Sequence, residues 1–426
     1  MSGKASGKAP SQPISRTPDA VTQTRLCALC PNMCRFLCPV AAAEKSEAVT
    51  PRGKATLALD LGRGALPLSE ETAGLLYRCA GCRACREWCP SGCDLVAVLE
   101  GPRAEAARGG FAPAEVRGVR DRLVRDRSLH GPAGELALRL ERFRELADPL
   151  ASTLYFPGCA AVASRSKAVE ASLRFFEAAG EPVALPRGEI CCGLPLDVLG
   201  YVEEATGFAR GLADSVAEGG FATVVSGCPM CVWAMRERYP RLGVTLPARV
   251  VHTSEFMEEL AATGRLPAPR EGAPGRGRPR QHCAGAEPVT YHDPCYLGRY
   301  LGVYEPPRRL LAEVAGLKVA EMDRTRELAA CCGGSPALDF PAPPTATAVG
   351  RRRLAEAART GARTLVTACP HCLEMLSGAA EAGLEVRDLA EVLAARLGLS
   401  EAYREPSGTR RDEWDEGEEP GREEAG

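Results

Sequence analysis

The sequence predicts a fold of mixed α+β and α/β character: a helical, cysteine-dense segment followed by two copies of one α/β unit. Three observations predict it. The chain has 20 cysteines, and most fall in short-spaced groups. From Thr153 onward, short β-branched runs alternate with longer amphipathic stretches, the pattern of strands joined by helices. The two later stretches also repeat each other: "YFPGC" at 155–159 answers "YHDPC" at 291–295, "CCGLP" at 191–195 answers "CCGGS" at 331–335, and "VVSGCPMC" at 224–231 answers "LVTACPHC" at 365–372. The matching cysteines stand 136, 140 and 141 positions apart, which points to duplicated domains facing each other.

In chain order, residues 1–22 are polar, rich in Ser, Pro and Lys, and expected to be disordered, with no apolar stretch for a signal peptide. Residues 23–110 carry the cysteines from Cys27 to Cys93 on short helical stretches. Residues 111–150 read as a charged helical connector in which Val116, Val119 and Leu123, at helical spacing, form one packed face. Residues 151–266 are the first α/β unit, 267–288 a linker rich in Pro, Gly and Arg, and 289–400 the second unit. The tail, 401–426, holds ten acidic and four basic residues and reads as a disordered solubility tail. A net charge of −2 provides no global field for nucleic acid or anionic membrane. No window approaches the ~18 apolar residues of a membrane span. The expected location is cytoplasmic, with any contact at the inner face of a membrane made peripherally, through a partner or a surface patch. Thiols there stay reduced, so clustered cysteines read as metal ligands or redox groups.

The first cysteine run, "CALCPNMCRFLCP" at 27–39, contains Cys27, Cys30, Cys34 and Cys38. The second, "CAGCRACREWCP" at 79–90, contains Cys79, Cys82, Cys85 and Cys89. The second has the Cys-x2-Cys-x2-Cys-x3-Cys-Pro spacing of two-cluster ferredoxins, in which three close thiolates wrap one cubane and the fourth reaches the other. Cys27, Cys30, Cys34 and Cys89 are therefore assigned to one [4Fe-4S] cluster, and Cys79, Cys82, Cys85 and Cys38 to the other. The fourth cysteine of each run is expected to start a helix. The first run departs from the pattern by one extra residue between Cys30 and Cys34, so its loop must bulge. Zinc held by four cysteines is the rival, and Cys93 is a spare thiol or a substitute for Cys89.

Each α/β unit supplies five cysteines: Cys159, Cys191, Cys192, Cys228 and Cys231 in the first, and Cys295, Cys331, Cys332, Cys369 and Cys372 in the second. Tetrahedral zinc or a simple cubane needs four. The fifth is either idle or part of an unusual cluster; vicinal disulfides at 191–192 and 331–332 are a further reading. Thr153–Phe156, Thr223–Ser226, Val289–His292 and Thr364–Thr367 are expected strands that run into these cysteines, with Cys-Pro-x-Cys opening a helix. Strand ends and helix N-termini of α/β units collect ligands, and the helix dipole favours anions there. Gly193 and Gly333 let the backbone turn closely round each vicinal pair.

On these motifs the chain resembles the heterodisulfide reductase family and the related iron–sulfur subunits of glycolate and lactate oxidases and of electron-transfer-flavoprotein-linked oxidoreductases. These carry a two-cluster ferredoxin domain followed by two CCG cysteine-rich domains. "TPRGK" at 50–54 is similar to a short basic segment of such subunits. The resemblance implies a noncubane [4Fe-4S] cluster on each complete five-cysteine set, although in some relatives one set is degraded or holds an ordinary cluster. One departure is Tyr296, which follows Cys295 where relatives often have His.

The function expected from the resemblance is that of an electron-transfer subunit of an oxidoreductase. A flavoprotein dehydrogenase or electron-transfer flavoprotein partner would be the donor, and a disulfide, a quinone or another carrier the acceptor; no flavin fingerprint is present in this chain. Self-sufficient heterodisulfide reduction and a non-catalytic metal scaffold are the alternatives. His292 and His371, close to Cys295 and Cys372, are candidate proton shuttles, or else hydrogen-bond a cluster sulfur or a carbonyl. Phe156 and Met230 hold the matching places in the first unit, so such chemistry is one-sided. His130, His252 and His282 show no ligand context, Arg299 reads as a solvated surface residue or an anion holder, and Cys283 reads as idle.

Overall fold

A computed structural model describes residues 19–188, 190–267, 288–380 and 383–399. The first helix, Ala20–Leu29, begins inside the segment expected to be disordered, because the Asp19 side chain accepts from the Val21 and Thr22 N–H groups and caps it. Helices Pro39–Glu44, Pro51–Gly62, Glu70–Leu76 and Leu95–Arg108 follow. The rest of the expected N-terminal tail, the 268–287 stretch with His282 and Cys283, and the acidic tail lie outside the described residues.

In the connector, helices Ala114–Asp126 and Ala133–Glu141 turn Val116, Val119, Leu123, Leu136 and Leu140 into a core shared with both α/β units. This is the packed face that the spacing predicts. Each α/β unit has a three-stranded parallel sheet. Strands β1 (Thr153–Tyr155), β2 (Thr223–Ser226) and β3 (Arg249–His252) lie in that order, as do β4 (Val289–His292), β5 (Thr364–Thr367) and β6 (Glu385–Asp388). Registers correspond: Thr153 faces Thr223, and Val289 faces Thr364. A single parallel bridge extends each sheet beyond its first strand, Leu154 to Ala184 and Val289 to Val319. Parallel pairing requires helical crossovers, here Ser166–Ala178 and Val202–Glu218 in the first unit and Pro343–Ala358 in the second.

The units pack reciprocally. The last helix of the second unit, Leu389–Leu397, lies on Ser166–Ala178, and its counterpart, Thr253–Ala262, lies on the Glu305–Arg309 helix and the π-helical turn after it. That exchange brings the cysteine-bearing strand ends of both units together. The N-terminal helices dock through buried cations. Arg103 donates to the Leu76 and Val198 carbonyls, and Arg238 pairs with Asp197 at 2.6 Å and Glu100 at 2.8 Å.

Candidate metal centre

In the first cysteine run, the extra residue is absorbed at Asn32, whose φ of 61° is left-handed and whose N–H points back at the Cys30 sulfur at 3.3 Å. Asn adopts that conformation at low cost. Cys27 then faces Cys30, Cys34, Cys93 and Cys89; burial first, and these thiols next, push its pKa to about 12. Burial and neighbouring Cys30 and Cys89 raise Cys34 to about 11. Cys93, 5% exposed, lies against Cys89. Five thiols therefore meet where four are expected.

Cys38 caps helix Pro39–Glu44, its sulfur 3.5 Å from the Ala41 N–H, and the turn carries it away from the first group to Cys79 and Cys82. Cys85 is raised by burial and by Cys82, Cys79, Cys34 and Cys38, so the two groups adjoin. Cys89 starts no helix. Its chain turns at Gly92 (φ 62°), and the next helix begins at Leu95, because Asp94 caps it while pairing with Arg83. The 50–54 segment has a structural role: Thr50 caps helix Pro51–Gly62, and Lys54, fully buried, donates to the Val49 and Arg78 carbonyls at 2.6 and 2.8 Å with its charge beside Cys38.

In the first α/β unit, Cys159 contacts Cys191, Cys192 contacts Cys231, and Cys231 contacts Cys228. Gly158 (φ 82°) brings the backbone so near that a Cβ there would lie 3.2 Å from the Cys231 sulfur. In the second unit, Cys295 contacts Cys331, Cys331 contacts Cys332, and Cys332 lies 3.2 Å from Cys372, which contacts Cys369. Gly193 (φ 70°) and Gly333 (φ 93°) turn each CCG loop, and a Cβ would meet Phe208 Cβ at 2.4 Å or the Ala346 carbonyl oxygen at 2.3 Å. Both glycines thus serve the close turn that the spacing calls for.

The groups also meet one another. Cys82 hydrogen-bonds Cys331, and that bond, opposed by burial and aided by Arg299, holds Cys82 at about 6. Arg299 is 6% exposed and donates to the carbonyls of Cys82 and Ala329, the latter at 2.7 Å. The expectation of a solvated surface role is corrected: the π-helical turn Tyr296–Tyr300 carries Arg299 inward, where its charge faces Cys82, Cys295 and Cys331. Tyr296 is buried and stacks on Tyr300 at 4.2 Å, an aromatic wall beside Trp233.

His292 and His371 both reach sulfur. Arg353, itself fully buried, donates Nε to His292 Nδ1 at 3.0 Å, which places the imidazole proton on Nε2. Nε2 has no nitrogen or oxygen partner, and a ring nitrogen of His292 lies with the Cys332 and Cys372 sulfurs within 4.8 Å of one another. His371 crosses to the other unit. Burial lowers its pKa, but its hydrogen bond to Cys228 and the charges of Cys228, Cys369 and Asp339 win and hold it well above the usual range. Sequence reasoning misses His130, whose ring lies 5.3 Å from that of His371, and Asp339, which burial raises to about 7 beside His371. His252 caps helix Thr253–Ala262 instead, its Nδ1 accepting from the Ser254 N–H.

All nineteen described cysteines are unbridged. The hydrogen-bonded sulfurs pair off, one thiol of each pair held up and its partner held down, and among the described residues Lys54, Arg299, His292 and His371 bring donors or positive charge to them. His292 Nε2, which reaches Cys332, and the buried Arg299 Nη2, which has no hydrogen-bond partner, sit beside the second five-thiol set. Such sets fit polynuclear iron groups, whose charge offsets crowded thiolate and whose sulfurs accept hydrogen bonds. Five sulfurs exceed the four of tetrahedral zinc.

A cysteine-rich CCG domain model matches residues 153–236 and again 289–377, the two α/β units. The D subunit of the dihydromethanophenazine:CoB–CoM heterodisulfide reductase of Methanosarcina acetivorans is 31% identical over 78% of this chain and 80% of its own. The chain belongs to the heterodisulfide reductase family. Two further relatives of this family member are more distant. The B subunit of a fumarate reductase (CoM/CoB) of Methanothermobacter marburgensis is 27% identical over 70% of this chain and 56% of that one. An EtfAB:quinone oxidoreductase of Syntrophomonas wolfei subsp. wolfei is 28% identical over 75% of this chain and 46% of that one. The family is one of iron–sulfur oxidoreductase subunits, and no described helix of this member is long and apolar enough to cross a membrane.

Proposed function

We propose that the chain is the iron–sulfur electron-transfer subunit of an oxidoreductase complex. Cys27, Cys30, Cys34 and Cys89 hold one ferredoxin-type [4Fe-4S] cubane, and Cys38, Cys79, Cys82 and Cys85 the other. Each five-cysteine CCG set holds one further [4Fe-4S] group. When bound, these groups supply one-electron steps. The observation that carries the reading is a continuous run of contacts between the sets: Cys34 beside Cys85, Cys82 on Cys331, and His371, which precedes Cys372 of the second CCG set, on Cys228 of the first. This supports entry at the first cysteine run and delivery at the gap between the CCG sets.

The protein's own groups tune that path. Lys54 and Arg299 place buried positive charge at Cys38, Cys82 and Cys331, and His292, with its tautomer set by Arg353, offers its N–H to the second set. The donor is a flavoprotein partner, and the acceptor a disulfide, a quinone or another carrier. His371, between the two sets, favours a second reading in which a disulfide is reduced here with proton supply.

Anaerobically purified chain is expected to be brown and to hold about sixteen irons, four per group. A colourless protein with stoichiometric zinc would overturn the proposal and leave the scaffold reading. Thiol release from a heterodisulfide with an artificial one-electron donor and no partner would establish self-sufficient reduction. Its absence in iron-replete protein would leave the relay.

A further inference from the structure

The connector, which lies outside the duplication, reaches into the gap between the CCG units. After helix Ala114–Asp126 the chain turns through Ser128, Leu129 and His130. Leu129 is 1% exposed, and its backbone hydrogen-bonds the Cys159 sulfur. One residue on, the His130 ring lies 5.3 Å from His371 at an interplanar angle of 56° and 6.4 Å from Phe340. His371 in turn bonds Cys228. A single short turn thus bears on two of the five sulfurs of the first CCG set. Burial, with His371 and Arg122 nearby, keeps His130 neutral, its pKa about 3, and its Nε2 is buried without a partner. It therefore acts as a ring and not as a charge. The first unit has Met230 where the second has His371, so its only histidine contact to sulfur among the described residues comes from the other unit, and the connector braces that contact.

We propose that His130 is a positioning residue whose ring walls His371 against Cys228, so that the connector sets the hydrogen bonding, and through it the reduction potential, of the group held by the first CCG set. The proposal rests on the reading of these cysteines as cluster ligands. A hydrogen bond donated to a cluster sulfur favours the reduced, more negative state and raises its potential.

The test is an EPR-monitored potentiometric titration of the full-length, anaerobically purified chain and three variants at matched iron content. His371→Phe removes the donor and should lower one midpoint. His130→Ala should lower that same midpoint and broaden its line, while His130→Phe, which keeps a ring, should stay with the wild type. If His130→Ala fails to fold, His130→Gln, polar without a ring, is expected to behave as described for alanine. The proposal is overturned if the ringless variant leaves every midpoint in place, if it moves a different signal from His371→Phe, or if His130→Phe shifts as alanine does. A wild-type chain without iron would instead defeat the underlying assignment of ligands.

Discussion

A thiol packed among thiols in a dry interior is held protonated unless something positive takes the proton's place, and single residues here decide how closely the sulfurs can be packed. Gly333 is one. With φ at 93° and the Ala346 carbonyl oxygen where a Cβ would be, Gly333→Ala must open the second CCG loop. Iron analysis should show a loss of about four irons, whereas Gly64→Ala, at φ 69° with nothing within 4 Å, should keep the full complement. Cys89 and Cys93 are another case, since both lie by Cys27. If Cys89 is the ligand, Cys89→Ser should remove or reshape the EPR signal of the first ferredoxin-type group, and Cys93→Ser should spare it; the reverse pattern would reassign the fourth ligand. His252 sets a pH dependence. Burial holds its pKa at about 4, against ~6.5 for free imidazole. The unfolded chain binds that proton first, so stability is full above ~6.5 and falls as pH drops toward 4, by on the order of 3 kcal/mol. Urea midpoints at pH 7.5 and 5.0 should diverge in the wild type and diverge less in His252→Asn, which caps the same helix without titrating, the remainder coming from buried His130.

Caps and strand ends carry these residues to their places. Strands β2, β4 and β5 occupy the spans that the β-branched runs predict, and β1 ends one residue short of its expected limit. They were legible because each is a local pattern, an apolar run that stops at Cys-Pro, Pro-Gly-Cys or Asp-Pro-Cys. The Cys-Pro-x-Cys helices, Pro229–Trp233 and Pro370–Ala379, were legible for the same reason, with Pro at the first helical turn. Helix Pro51–Gly62 was less so: nothing local says that Lys54 will be sealed under Cys38. Lys54→Met should leave the Val49 and Arg78 carbonyls without their donor, at ~1–3 kcal/mol for each unsatisfied group. A lowered thermal midpoint together with loss of the group on Cys38, Cys79, Cys82 and Cys85 is the expected outcome.

Across the molecule, the cysteine sets form one connected system because three parts of the chain converge. Arg299 is the clearest joint, tying the second CCG unit to the Cys82 carbonyl more than two hundred residues away. Arg299→Met should raise amide hydrogen exchange at residues 79–85 and at 327–331 together, while leaving β1 to β3 protected. Exchange confined to one side would mean that the joint does not couple the two parts.

By itself the sequence determined the duplication, the strands and helices that flank the CCG motifs, and the short-spaced runs in which the cysteines stand, since all of these are written in spacing and short-range periodicity. The tertiary structure alone decided which groups touch. It made Arg299 a buried staple, sent His371 to the opposite unit's Cys228, and brought His130 in from the connector. Those contacts join residues far apart in the chain and depend on how whole units pack, and a lone Arg or His carries no local mark of the face it will meet.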